Sequence, residues 1–106
     1  MALRDSPFEA RASVAADGSV TVTLAGELDL STEDALAAHL DGIRAGRPRQ
    51  VIFDMSQVSF ADLGALRALV TGGDQDALPP VLCHPPPVVV RLLEVSGLAG
   101  HCVIVR

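Results

Sequence analysis

Residues 51–70 read VIFDMSQVSFADLGALRALV, and no other segment constrains the architecture as tightly. Val51-Ile52-Phe53 is a short apolar run with two β-branched residues, which predicts a strand buried on both faces. Asp54 to Gln57 breaks the run with polar, turn-prone residues, and Val58-Ser59-Phe60 reads as a second brief extended piece. Asp62 can then cap a helix in which Leu63, Leu66 and Val70 recur at helical spacing, with Leu69 alongside. A buried strand that empties into a capped helix start brings backbone N–H groups and a positive dipole end to the carboxyl edge of a sheet. In α/β folds, binding and regulatory chemistry tends to sit at that edge.

Upstream, Phe8 to Ala15 and Ser19 to Ala25 read as extended segments joined by a hairpin turn at Ala16-Asp17-Gly18. Val20, Val22 and Leu24 alternate with Thr21 and Thr23, as a half-buried strand requires. A loop, Gly26-Glu27-Leu28-Asp29, follows. Ser31 or Thr32 can cap the next helix, with Ser31 and Asp34 as a variant of the capping box. Leu36, Leu40 and Ile43 give that helix one apolar stripe, and Gly46-Arg47-Pro48 ends it. Arg44, Arg47 and Arg49 around Pro48 read as a solvated interhelical loop.

Downstream, Gly72 to Pro80 carries two glycines, Asp74, Asp76 and Pro79-Pro80, which predicts a loop and a shortened second helix. Val81-Leu82-Cys83 is a brief strand that Pro85-Pro86-Pro87 must end, because proline donates no ladder hydrogen bond. Pro87 suits a first helical turn, and Val88 to Val95 supply the helix despite three consecutive valines of poor helix propensity. Gly97 stops it, and Val103-Ile104-Val105 is the last strand. With right-handed crossovers, this order implies an α/β fold: a mixed sheet, an N-terminal hairpin followed by parallel strands, with helices packed on it.

A chain of 106 residues fits one domain, 1–106, with a modest core. Its 49% hydrophobic content with three aromatics points to an interior of Val, Leu, Ile and Ala. A net charge of −5 argues against nucleic acid, which requires a basic face. No apolar run is long enough to span a bilayer, and Met1 to Ala10 has no signal-peptide apolar region, so a cytoplasmic location is expected. Cys83-His84 and His101-Cys102 look like paired metal ligands. Neighbours in a strand face opposite ways, however, and the two pairs fall at opposite edges of a parallel sheet, so neither a metal nor a disulfide is expected. No Ser-His-Asp order, glycine-rich phosphate loop or HExxH motif appears, and neither catalysis nor a cofactor is expected. Asp54 at a strand end resembles a phospho-acceptor aspartate, but such a site needs a lysine and this chain has none. His39 reads as a solvated helical histidine.

Three blocks resemble the STAS family, whose best-known members are anti-sigma factor antagonists. They are Gly26-Glu27-Leu28-Asp29, the run from Asp54-Met55-Ser56 through Val58-Ser59-Phe60 to Asp62-Leu63-Gly64-Ala65-Leu66, and the segment VVRLLEVSGL at 89–98. The resemblance covers roughly Val20 to Val105. It implies a binding protein that docks its second helix and the neighbouring loop onto an anti-sigma factor of the ATP-binding kinase class, releasing a sigma factor for transcription. In that family, phosphorylation of the second serine at the helix start ends the association, and the corresponding position here is Gly64. Phe60 to Val70 contains no Ser or Thr, and phosphoryl transfer needs a hydroxyl oxygen, so the usual phospho-switch is expected to be missing. The resemblance makes Asp29, Asp62, Leu63, Gly64 and Arg67 the candidate partner-binding residues, with no catalytic, phospho-acceptor or metal residue. Leu63 either tucks into the core or offers an apolar contact to a partner. Asp62 also reads as a plain N-cap, Glu27 and Asp29 as loop caps, and Arg67 as part of a solvated face. An alternative of another class is a STAS scaffold or accessory module, stressosome-like or beside a transporter.

Overall fold

The alternation along Val20–Leu24 survives in three dimensions: Val20, Val22 and Leu24 are buried, and Thr21 and Thr23 are half-exposed. The computed structural model describes residues 8–73 and 76–106. These form β1 (Phe8–Val14), β2 (Val20–Leu28), α1 (Glu33–Ala45), β3 (Val51–Ala61), α2 (Leu63–Val70), β4 (Val81–Cys83), α3 (Pro87–Ser96) and β5 (Val103–Val105). Short 3-10 turns occupy Leu30–Thr32 and Leu98–His101. The strands lie side by side in chain order; β1 and β2 are antiparallel and the others parallel. The expected mixed α/β sheet is therefore present. Asp17 closes the hairpin by accepting from the Ser19 N–H at 2.9 Å, and Gly18 takes φ +90°.

Strand order fixes where the helices go. Each crossover from β2 onward steps in the same direction across the sheet, and right-handed crossovers then deliver α1, α2 and α3 to one face. Leu36 and Leu40 of α1, Leu66 and Leu69 of α2, and Val89 and Leu93 of α3 join Val22, Phe53, Met55 and Leu82 in one buried cluster. Among the described residues, no helix covers the other face. There Thr21, Ile52, Val81 and Val103 stand in cross-strand register, with Val103 46% exposed. The expectation that Val51-Ile52-Phe53 is buried on both faces is thus corrected: only Phe53 is fully buried.

β3 differs from expectation in a second way. Asp54 to Gln57 does not break it; one strand of 11 residues runs from Val51 to Ala61. It absorbs its polar residues by bulging. Between the pairs Thr23↔Asp54 and Ala25↔Gln57, β2 advances two residues and β3 three; between Gly26↔Val58 and Glu27↔Phe60, β2 advances one and β3 two. Each shift inserts one unpaired residue into β3. Its buried positions accordingly fall at Phe53, Met55, Val58 and Ala61, stepping by three where a regular strand steps by two. The Asp54 carboxylate accepts from the Ser56 N–H at 3.0 Å, which, with His84 a lesser contributor, holds its pKa below the usual value. The Gly26-Glu27-Leu28 block likewise belongs to β2 and is not a loop.

Several end signals fall one notch from expectation. Neither Ser31 with Asp34 nor the Thr32 side chain caps α1. Asp29 caps instead, one 3-10 turn earlier. Arg44 is not a solvated loop residue. It sits in the last turn of α1 and its Nη2 donates to the Ala68 and Leu69 carbonyls at 2.9 and 3.3 Å, satisfying the end of α2. Arg47 and Arg49 are exposed, and Arg47 takes the left-handed turn at φ +50°. His39 is exposed but stacks edge-on against Phe8, with ring centroids 5.9 Å apart. α2 is short, as expected, although Asp74 of the following loop lies outside the described residues. α3 begins at Pro87 and ends at Gly97 with φ +83°. Burying Val89 and Val90 outweighs their weak helix propensity. His101 and Cys102 precede β5 and do not begin it, and His84 takes φ +55° after β4. Cys83 and Cys102 nevertheless stand at opposite ends of neighbouring parallel strands.

Candidate functional site: the carboxyl edge of β2 and β3

β2 and β3 end together, with Glu27 opposite Phe60 and Leu28 opposite Ala61. The Asp62 N–H donates to the Leu28 carbonyl at 2.9 Å, so the helix start of α2 is stitched to the end of β2. This backbone bond brings the two STAS-like blocks side by side. Each strand then hands over to a helical segment through an aspartate. The Asp62 carboxylate accepts from the Ala65 N–H at 2.8 Å, which makes it the N-cap of α2. The Asp29 carboxylate accepts from the Ser31 N–H at 2.9 Å, and Thr32 Oγ1 returns the bond by accepting from the Asp29 N–H at 3.0 Å. Thr32 Oγ1 also lies 3.1 Å from the Glu27 and Asp29 carbonyls, and Thr32 is 4% exposed, so this loop is fixed from inside. Replacing Asp62 by alanine should destabilise the fold by about 1 kcal/mol, the usual value of an N-cap, as read from urea unfolding midpoints.

On this rigid frame stand apolar side chains facing water. Leu30 is 80% exposed, Phe60 43% and Leu63 36%. Each has an identifiable cause. Leu30 tops the 3-10 turn, whose inward position is taken by Thr32. Phe60 points outward because of the second bulge. With only the first one, burial at Val58 would continue to position 60; the extra residue Ser59 moves the buried position on to Ala61. Ser59 Oγ donates to the Gly26 carbonyl at 3.2 Å, and Gly26 takes φ +96° in the facing strand. Leu63, left open between core and surface by its sequence, lies on the outer side of α2, while Ala65, Leu66, Leu69 and Val70 form the buried side.

Gly64 and Arg67 are exposed on α2, and Asp29 and Asp62 are half-buried by their capping bonds. Exposed Glu27, Glu33 and Asp34 add negative charge around the edge, with Arg67 as the cation on α2. Two residues of this surface, Leu30 and Phe60, carry no sequence signal of their own. The bulge that exposes Phe60 depends on pairing with β2, and a leucine after a loop aspartate looks like any other. The hydroxyls nearest the edge are engaged: Ser31 Oγ donates to Asp29, and Ser59 Oγ to Gly26. Arranged in this way, the edge presents exposed apolar side chains rimmed by acids.

The family model described as "Mlab, STAS domain" matches residues 12–106. No curated protein matches the sequence. Among solved structures, an anti-sigma factor antagonist from Mycobacterium paratuberculosis superposes with a TM-score of 0.78 at 22% identity, over 92% of this chain and 85% of that one. The anti-sigma factor antagonist SpoIIAA in its unphosphorylated form gives 0.63 at 23%, over 92% and 89%. The phosphorylated form of SpoIIAA, a Bacillus cell fate determinant, gives 0.59 at 22%, over 92% of each chain. At these identities the likeness establishes the fold. Among the described residues, no helix is long and apolar enough to cross a membrane.

Proposed function

Because the chain belongs to the STAS domain family, we propose that it is a non-catalytic binding protein that docks the carboxyl edge of β2 and β3 onto an anti-sigma factor of the ATP-binding kinase class. Asp29, Asp62, Leu63, Gly64 and Arg67 line the docking face, and Leu30 and Phe60 extend it. One observation supports this reading above the rest: a bulge and a 3-10 turn leave Phe60 and Leu30 exposed at the strand edge where α2 begins with its own exposed Leu63. Exposing apolar side chains on a rigid frame costs solvation free energy, which burial against a partner recovers.

Regulation should differ from that of phosphorylated antagonists. A phosphate adds about two negative charges, which would end an apolar contact beside existing acids. At Gly64 there is no oxygen to carry it. Gly64 has ordinary helical geometry, and a Cβ added there would meet only Asp62 Oδ1, at 3.6 Å. A serine therefore fits. Incubated with its kinase-type anti-sigma factor and ATP, the natural protein should gain no mass, whereas Gly64→Ser should gain one phosphate, mapped to residue 64. A phosphate on Ser31 or Ser59 of the natural protein would overturn this account of its regulation. Failure to bind any kinase-type anti-sigma factor encoded by the same genome would instead favour the scaffold or accessory role.

A further inference from the structure

We propose that a cavity at the opposite end of the sheet binds a small amphipathic acid, an apolar body carrying one carboxylate. α2 stops after eight residues at Val70, and the described residues between it and β4 form no helix. The helix layer therefore ends short of the amino ends of β3, β4 and β5, leaving a cavity of about 620 Å³. That volume lies within the range that holds small organic ligands. Phe53, Leu69 and Val70 line it from the core, and Leu78 and Cys102 from the loops before β4 and β5. Burial raises the Cys102 pKa, keeping a neutral thiol against this apolar space.

Charge specifies the ligand further. Among the described residues lining the cavity are Arg44 and His101. Arg44 is already anchored: Nη2 donates to the Ala68 and Leu69 carbonyls, and no protein acceptor among the described residues takes Nε or Nη1. Asp41, one turn earlier on α1, supports its charge only through space. Gly72, at φ +87°, leaves room for the Arg44 head group, since a Cβ there would stand 3.3 Å from Nη1. A guanidinium held at one corner, with unspent donors beside an apolar space, suits a carboxylate. The backbone bonds that orient Arg44 also keep it from turning out to solvent. This site shares no residue with the partner-docking edge, so the two assignments stand or fall separately.

The probe is decanoate, kept below its micelle-forming concentration and titrated into the ¹⁵N-labelled protein. Saturable shifts are expected at the amides of Phe53, Leu69 and Cys102, with those of Leu30, Phe60 and Leu63 unmoved. Decanol, with the same tail and no charge, should bind at least about tenfold more weakly, the loss expected for a charge-assisted hydrogen bond. Arg44→Gln should weaken decanoate by a similar factor. Because Arg44 also supports α2, Gly100→Leu is the cleaner test. Gly100 lines the cavity, and a Cβ there has open space, so this variant should keep its melting temperature and lose the shifts. Shifts that never saturate, that appear at the docking edge, that decanol reproduces at equal concentration, or that persist in Gly100→Leu would each overturn the assignment.

Discussion

Truncating Leu66 to alanine should destabilise the protein by about 3 kcal/mol and lower its melting temperature by roughly 15 °C. Leu66 is 0% exposed in the middle of the buried side of α2, packed in the same cluster as β3 and α1. A helix of eight residues has little stability of its own, so its hold on the sheet comes from Ala65, Leu66, Leu69 and Val70 together with its cap. Removing the largest central contact leaves a cavity that its close-packed neighbours cannot fill. Against a typical total stability of about 5–15 kcal/mol, this is a large fraction. Leu63→Ala, one turn earlier on the same helix, should cost clearly less, about 1 kcal/mol or below, because Leu63 is 36% exposed where Leu66 is fully buried. Urea or thermal unfolding of the two variants in parallel checks the pair. Equal losses would mean that Leu63 is a core residue after all, and the docking surface would lose its apolar member on α2.

Leu63→Asp tests binding without testing folding. A negative charge in the first turn of a helix is favoured by the dipole, so the variant should unfold at the same denaturant concentration as the natural protein or slightly above it. Its affinity for the proposed partner, a kinase-type anti-sigma factor, should nevertheless fall by about thirtyfold or more, corresponding to the 2 kcal/mol or greater typical of an interface hot spot. The loss has two sources. An apolar contact disappears, and a carboxylate that must be desolvated joins a rim already carrying Asp29, Asp62, Glu33 and Asp34. Phe60→Asp should behave alike, because the bulge already holds that side chain in solvent. Isothermal titration on both variants, with circular dichroism as the folding control, is decisive. Unchanged affinity in both would remove the edge as the docking surface even if the partner itself is correct.

The parts of the molecule that could be read from the chain are those governed by local chemistry. The hairpin followed from alternating Val20–Leu24 and the glycine of its turn. α3 followed from a proline able to enter a first turn and a glycine able to leave one. Asp62 was recognisable as a cap because a capping carboxylate bonds N–H groups within three residues of itself. Where a partner lies farther along the chain, the local sequence carries no signal of it. Arg44 looked like a loop charge, since the carbonyls it satisfies belong to a helix 24 and 25 residues away. Polar Asp54 to Gln57 looked like a break, since only β2 alongside allows a strand to bulge there.

Asp29, Asp62 and the missing hydroxyl at position 64 are properties of composition, and no folding was needed to see them. The outward turn of Phe60, the choice of surface over core for Leu63, and the single covered face of the sheet arose from packing. Side-chain chemistry is local and written residue by residue. Which way a strand's pleat points, and which side of a sheet its helices cover, depends on register with neighbours and on the common sense of three crossovers. Those quantities exist only once the strands have met.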